Sequence, residues 1–209
     1  CIPCGSDWLT KLTAPVRDGI ARYSYGRQVG RDTTKFSEGQ VFSKYYPEAG
    51  VLLQKGFFCN NANAAVSRET WEQHKFDESL TGLEDLKLAK TVVDAGHQIA
   101  YVAEAPVFHI HDETWHQVRV RYEREAVALR EIMPEIHVGF TDFLRYFFSG
   151  VLHDFGIALE QKTLLKYATE IIAFRWMQFF GTYRGNWEHR QVSAKQREEY
   201  FFPKPTGEK

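Results

Sequence analysis

The segment Gly82-Leu83-Glu84-Asp85-Leu86 sets two adjacent carboxylates where a helix is expected to open after a glycine-containing loop. Neighbouring helical residues point about 100° apart, so only one of Glu84 and Asp85 faces a given cleft. The positive end of a helix favours an ionised acid. An ionised carboxylate at an accessible junction can then act as general base toward a hydroxyl. The same residues also read as a plain capping box, Thr81-x-x-Glu84, with a dipole-favoured acid beside it.

A second group is Phe108-His109-Ile110-His111-Asp112, at the end of an expected strand. Strand alternation puts His109 and His111 on one face, and two imidazoles with a carboxylate can bind a divalent metal. The alternative is that Asp112 caps the next helix and the histidines sit at a solvated strand end. A third is Asn60-Asn61-Ala62-Asn63-Ala64-Ala65, where small residues admit a ligand to the backbone and amides offer donors and acceptors to a polyhydroxylated ligand. Asn-rich turns also arise for backbone reasons alone. In Tyr25-Gly26-Arg27-Gln28, Arg27 can read a phosphate or carboxylate, or be a surface arginine.

These residues need elements to position them. The pattern predicts a short helix over 5–18 capped by Ser6, a strand over 19–26, a long loop over 27–50 and a strand over 51–59. Ser67 caps a short helix, and a longer one runs from Thr81 to a stop at Gly96. Residues 98–110 read as a strand that Pro106 demotes to an edge or bulged one. Asp112 or Thr114 opens a long helix, and apolar residues at helical spacing continue over 140–152 and 163–180, where Gly181 is expected to stop the chain. A polar tail from Asn186 closes with Tyr200, Phe201, Phe202 and Pro203. The order gives an α/β class with an added α-helical part.

Composition bounds the rest. The chain has 209 residues, enough for one domain plus an extension. With 44% hydrophobic residues it is not disordered. Its 26 Lys+Arg against 27 Asp+Glu create no general basic field, so nucleic acid is not an expected partner. No apolar run of about 18 residues predicts a membrane span, and no leader is visible. The 3 cysteines argue for a reducing, cytoplasmic setting rather than a disulfide framework. Cys1-x-x-Cys4 has metal or redox spacing but no second pair, so incidental loop cysteines are the simpler reading.

Taken in order, Asn63-Ala64-Ala65, Phe76-Asp77-Glu78-x-Leu80, Gly82-x-Glu84-Asp85-Leu86, Ala95-Gly96-x-x-Ile99-Ala100-Tyr101 and His109-x-His111 resemble the acceptor half of family 2 glycosyltransferases with the GT-A fold. Tyr25-Gly26-Arg27-Gln28 and Gly181-x-Tyr183-Arg184-Gly185 look like segments of the rhamnosyltransferase-type branch that builds bacterial surface polysaccharides. The resemblance implies a partial GT-A, Rossmann-like mixed sheet over 1–135 and a helical C-terminal extension over 136–209. It implies inverting transfer of a sugar from a nucleotide-sugar donor to a saccharide or lipid-linked saccharide acceptor. Asp85 would be the general base, with Glu84 orienting the acceptor or capping the helix. Asn63 and Asn61 would line the acceptor side, with Arg27 and Gln28 beside them. His109, then His111, would ligate Mg²⁺ or Mn²⁺, and Arg119 and Arg121 would sit near the diphosphate. The spacing from Gln117 departs from the processive pattern Gln-x-x-Arg-Trp.

The N-terminal β-α-β region and Asp-x-Asp motif of that fold are not in the sequence. Pro3, Trp8 and Leu9 stand as in the segment that follows Asp-x-Asp in similar enzymes. The expectation is a C-terminal part of a longer enzyme, inactive alone. Two other readings compete: a metal-dependent hydrolase built on His109-x-His111-Asp112, and a helical interaction module. The aromatic stretch 140–180 either packs on the core, pairs with a partner, or lies on the inner face of a membrane through its basic residues.

Overall fold

The computed structural model describes residues 1–187 and 200. Phe201, Phe202, Pro203 and most of the expected polar tail lie outside the described residues. The fold is mixed α/β, and Cα packing divides it into two units. The first holds Cys1–Thr34, Gly39–Ser79 and Leu83–His111, and the second Lys35–Glu38, Leu80–Gly82 and the chain from Asp112. The helix after Asp112, assigned from sequence to the α/β part, is thus grouped with the helices that follow.

In the first unit a four-stranded sheet has the order β1-β4-β2-β3, with β1 Ile2–Pro3, β2 Tyr23–Val29, β3 Ala64–Val66 and β4 Ile99–Phe108. β2 and β4 run parallel, and the other two pairs are antiparallel. β4 is interior, not the edge strand Pro106 suggests. The expected bulge is present: the register jumps from Gly26 opposite Val102 to Gln28 opposite Val107. That irregular stretch accommodates a proline with no N–H to give the ladder.

Alternation along β2 sends Tyr23 and Tyr25 to one face of the sheet and Ser24 to the other. On the first face they bury against Leu88, Ala89 and Val92 of α4 (Glu84–Asp94) and against Phe42 and Tyr46. On the second, Leu12 of α1 (Trp8–Arg17) packs on Val102 and Ala105, and Ser24 donates its hydroxyl to the Leu12 carbonyl. α1 begins after Asp7, not Ser6, and Asp7 makes no side-chain cap. α3 (Arg68–Gln73) has the expected cap, the Thr70 N–H donating to Ser67 Oγ. α4 ends as expected, with Gly96 at a φ of 84° donating its N–H to the Val93 carbonyl.

Two expectations fail here. The supposed long loop contains α2 (Phe36–Tyr45), whose apolar side is Phe42 with the adjoining Tyr46. The supposed strand over 51–59 pairs only at Val51, opposite Tyr101. Lys55 and Gly56 interrupt that apolar run, and its Gln54 side chain turns back to the Phe58 carbonyl.

The second unit is helical. Thr114 caps α5 (Trp115–Ile132) in a true capping box with Gln117. α6 (Phe140–Glu160) and α7 (Leu164–Trp187) follow. Gly181 does not stop α7, which continues to Trp187. A Cβ at Gly181 would lie 2.4 Å from the Arg119 carbonyl, and one at Gly185 2.2 Å from that of Glu123. These glycines let α7 lie directly on the α5 backbone. Inside, Arg175 donates to both carboxylate oxygens of the fully buried Asp154, which also accepts from Ser37. Among the described residues, no helix is long and apolar enough to cross a membrane.

Candidate functional site

Asp85 occupies the second position of α4. The predicted capping box is not formed: the residue before the helix is Leu83, in the left-handed region at a φ of 56°, and it makes no side-chain cap. A non-glycine residue held there is strained, by about 1–2 kcal/mol. Strain of this kind gathers where surrounding structure fixes a functional junction. The bend delivers Asp85 inward, at 7% exposure, and leaves Glu84 half-buried.

The Asp85 carboxylate has two main-chain donors. The Asn61 N–H reaches Oδ2 at 2.8 Å, and the Leu86 N–H reaches Oδ1 at 2.7 Å. Burial nonetheless pushes its pKa above the ordinary carboxylate value, with Glu84 adding to the shift and the two N–H bonds opposing it. A carboxylate held that way is a stronger proton acceptor than a solvated one.

The Asn61 side chain continues the network, its Oδ1 accepting from the Tyr23 hydroxyl. Asn61 is exposed, and among the described residues its NH₂ donates to no protein group. Burial raises the Tyr23 phenol strongly, and also that of Tyr46, on which Asp85 acts as the next cause. Cys59 is buried beside them, and burial pushes its thiol up, so it is not poised as a nucleophile. The geometry therefore joins a buried carboxyl group to an exposed carboxamide at the start of a short 3₁₀ turn, Asn61–Asn63.

The other sequence candidates are placed differently. Asn63 is buried, and its amide is fully used. Nδ2 donates to the Ala105 carbonyl at 2.8 Å and the Arg27 carbonyl at 3.2 Å, and Oδ1 accepts from Trp8 Nε1 at 2.8 Å. Gln28 is buried too and donates to Asn60 Oδ1, which also accepts the Ala62 N–H. Both residues hold the asparagine turn and present nothing to a ligand. Arg27 donates to Glu48 at 3.1 Å, while its buried Nε has no partner.

His109 and His111 follow β4. Their rings meet edge to face, centroids 4.3 Å apart, and both pack on Phe42. This agrees with a shared face. Cys1 Sγ lies 2.8 Å from His109 Nδ1. Two imidazoles fit as nitrogen members of a divalent-metal shell, though Mg²⁺ and Mn²⁺ take mostly oxygen ligands. Cys1 and Cys4 are free. They flank extended β1, so their Cα atoms stand about 10 Å apart, beyond disulfide reach.

Arg119 and Arg121 belong to the second unit. Arg119 pairs with Glu123 on α5. Arg121 is clamped by Glu38 at 2.7 Å and by Glu113, whose oxygens accept from its Nε at 3.0 and 3.1 Å. Its Nε and Nη2 are committed to these two carboxylates.

Sequence reasoning missed Tyr23 and Tyr46 as members of the Asp85 environment. Tyr23 was legible only as an apolar strand residue, because its hydroxyl partner Asn61 lies 38 positions away, and Tyr46 fell in the stretch read as a loop. Comparison with protein-family models, curated proteins and solved structures finds no match to this chain.

Proposed function

We propose that this chain carries the acceptor side of an inverting glycosyltransferase of the GT-A type, similar to family 2 enzymes of bacterial surface polysaccharide synthesis. The reading is supported above all by the pairing of buried Asp85 with the exposed Asn61 turn. Asp85 accepts the proton of an acceptor sugar hydroxyl as that oxygen attacks the anomeric carbon of a nucleotide sugar. The bond from that carbon to the diphosphate breaks on the opposite side, and configuration inverts. The free Asn61 NH₂ offers a donor to a neighbouring acceptor hydroxyl. Glu84, half-buried beside the base, orients the acceptor. Mg²⁺ or Mn²⁺, held in part by His109 and His111, would neutralise the diphosphate leaving group when bound.

The test is sugar transfer by the native gene product from a panel of nucleotide sugars to saccharide and lipid-linked acceptors. Asp85→Asn is expected to abolish transfer while leaving donor binding intact. Full turnover in that variant would remove Asp85 from its role.

A further inference from the structure

Tyr23 is 1% exposed, so its phenol is shut off from solvent and its proton needs an acceptor inside the protein. The hydroxyl donates to Asn61 Oδ1. The Cys59 thiol also lies beside it, but burial keeps that sulfur protonated, and a thiol is a weak acceptor. Both oxygens of Asp85 are taken by main-chain N–H groups. Asn61 Oδ1 is thus the acceptor that the buried hydroxyl depends on, and a buried donor left without one is costly.

A carboxamide has an acceptor on one side and two donors on the other. Half a turn about the Asn61 Cβ–Cγ bond would set Nδ2, a donor, against a phenol that must itself donate. The Tyr23 hydroxyl therefore fixes which side of the amide faces out. The oxygen points inward, and the NH₂ group of this exposed residue points outward. The main chain of Asn61 is held separately, its N–H on Asp85 Oδ2 at 2.8 Å. One residue thus touches the Asp85 carboxyl group through its backbone and presents a donor through a side chain that Tyr23 orients.

We infer that Tyr23 is a positioning residue that sets the class of acceptor: a sugar with a hydroxyl or ether oxygen beside its reacting hydroxyl, and not one with an ammonium there. The lone pairs of such an oxygen accept from the Asn61 NH₂, whereas an ammonium, which only donates, meets another donor. This rests on the transfer reading and adds to it the direction of the amide and the residue that sets it.

Two measurements test it, and the first does not depend on transfer. Neutron diffraction of the deuterium-exchanged protein shows the Tyr23 deuterium directed at Asn61 Oδ1 and the ND₂ group directed outward. An ND₂ group turned toward Tyr23 overturns the inference, whatever the protein catalyses. The second uses the native gene product and an acceptor found in the transfer panel, beside its amino counterparts, in which a hydroxyl next to the reacting one is replaced by an ammonium. Tyr23→Phe frees the amide to turn, so kcat/KM for the amino sugar rises about tenfold relative to the hydroxyl sugar. Attraction of Glu84 and Asp85 for the ammonium is common to both proteins and cancels from that ratio. A Tyr23 that only fills the core would lower both acceptors together. An unchanged ratio therefore overturns the inference and leaves the transfer reading standing. Absence of transfer by the wild type to every acceptor overturns the transfer reading, and the acceptor assignment with it.

Discussion

The main-chain N–H of Asn61 donates to Asp85 Oδ2 across 2.8 Å, so one hydrogen bond ties the exposed start of a turn to a buried carboxyl group. The protonation state of Asp85 bears on that exposed turn through a single peptide group.

Asp85 should leave a pH signature in stability. Its folded pKa lies above the unfolded value near 3.8, so the native state holds the proton more tightly. The favourable contribution is complete below the unfolded pKa and is lost as pH rises through the folded one. Asp85→Asn carries no such dependence. Urea unfolding of both proteins at acid and neutral pH should show the variant gaining on the wild type as pH rises. A difference that stays constant with pH would contradict the burial argument.

Gly26 and Asn63 form a lock between β2, β4 and the asparagine turn. A Cβ at residue 26 would fall 2.3 Å from Asn63 Nδ2 and 2.4 Å from the Ala105 carbonyl. Gly26→Ala should cost about 1–3 kcal/mol by overpacking. Asn63→Ala should cost a similar amount by orphaning Trp8 Nε1 and the Ala105 carbonyl. The two penalties should fall short of adding, since either change opens the same lock. Strict additivity in denaturant melts would separate them.

Arg121 is predicted to be a structural cation. Arg121→Met takes the guanidinium away from Glu38, which is 2% exposed, and from Glu113, and should cost about 3–5 kcal/mol. Adding Glu38→Gln should recover a large part. If Arg121→Met melts like the wild type, the clamp seen here is not what holds that residue.

Lys162 closes α6 at a φ of 57°, where glycine is the usual choice, and the Thr163 N–H reaches back to the Ala158 carbonyl. Lys162→Gly should stabilise by about 0.5–1 kcal/mol through relief of left-handed strain. A lower melting temperature for that variant would refute this.

Local signals carried the parts of the fold that local physics controls. The Ser67 cap and the glycine stop of α4 depend on residues within a turn of each other and were readable, and Thr114 was one of two starts offered for α5; the Ser6 cap and the Thr81-x-x-Glu84 box, equally local, did not form. α2 was not, because Gly39, Ser37 and Ser43 mask its propensity and Phe42 and Tyr46 gain their burial only from the distant sheet. Gly181 misled for a related reason: a helix stop and a close helix approach use the same residue. Asp85 and Asn61 were singled out by type and order, and the structure joins them by a hydrogen bond. The Tyr23–Asn61 bond spans 38 positions and has no sequence signature. Asn63 and Gln28 have ligand-like chemistry, and only their saturated hydrogen bonds reveal them as scaffold.

The glycine contact between α7 and α5 also limits how the helical unit can move. Gly181 and Gly185 act as two teeth of a key cut to fit one stretch of α5. Turning or sliding α7 by a single residue would present Thr182 or Asn186 where only hydrogen fits. Shear between these helices is therefore barred. Any motion that reaches them must carry α5 and α7 together as one strut.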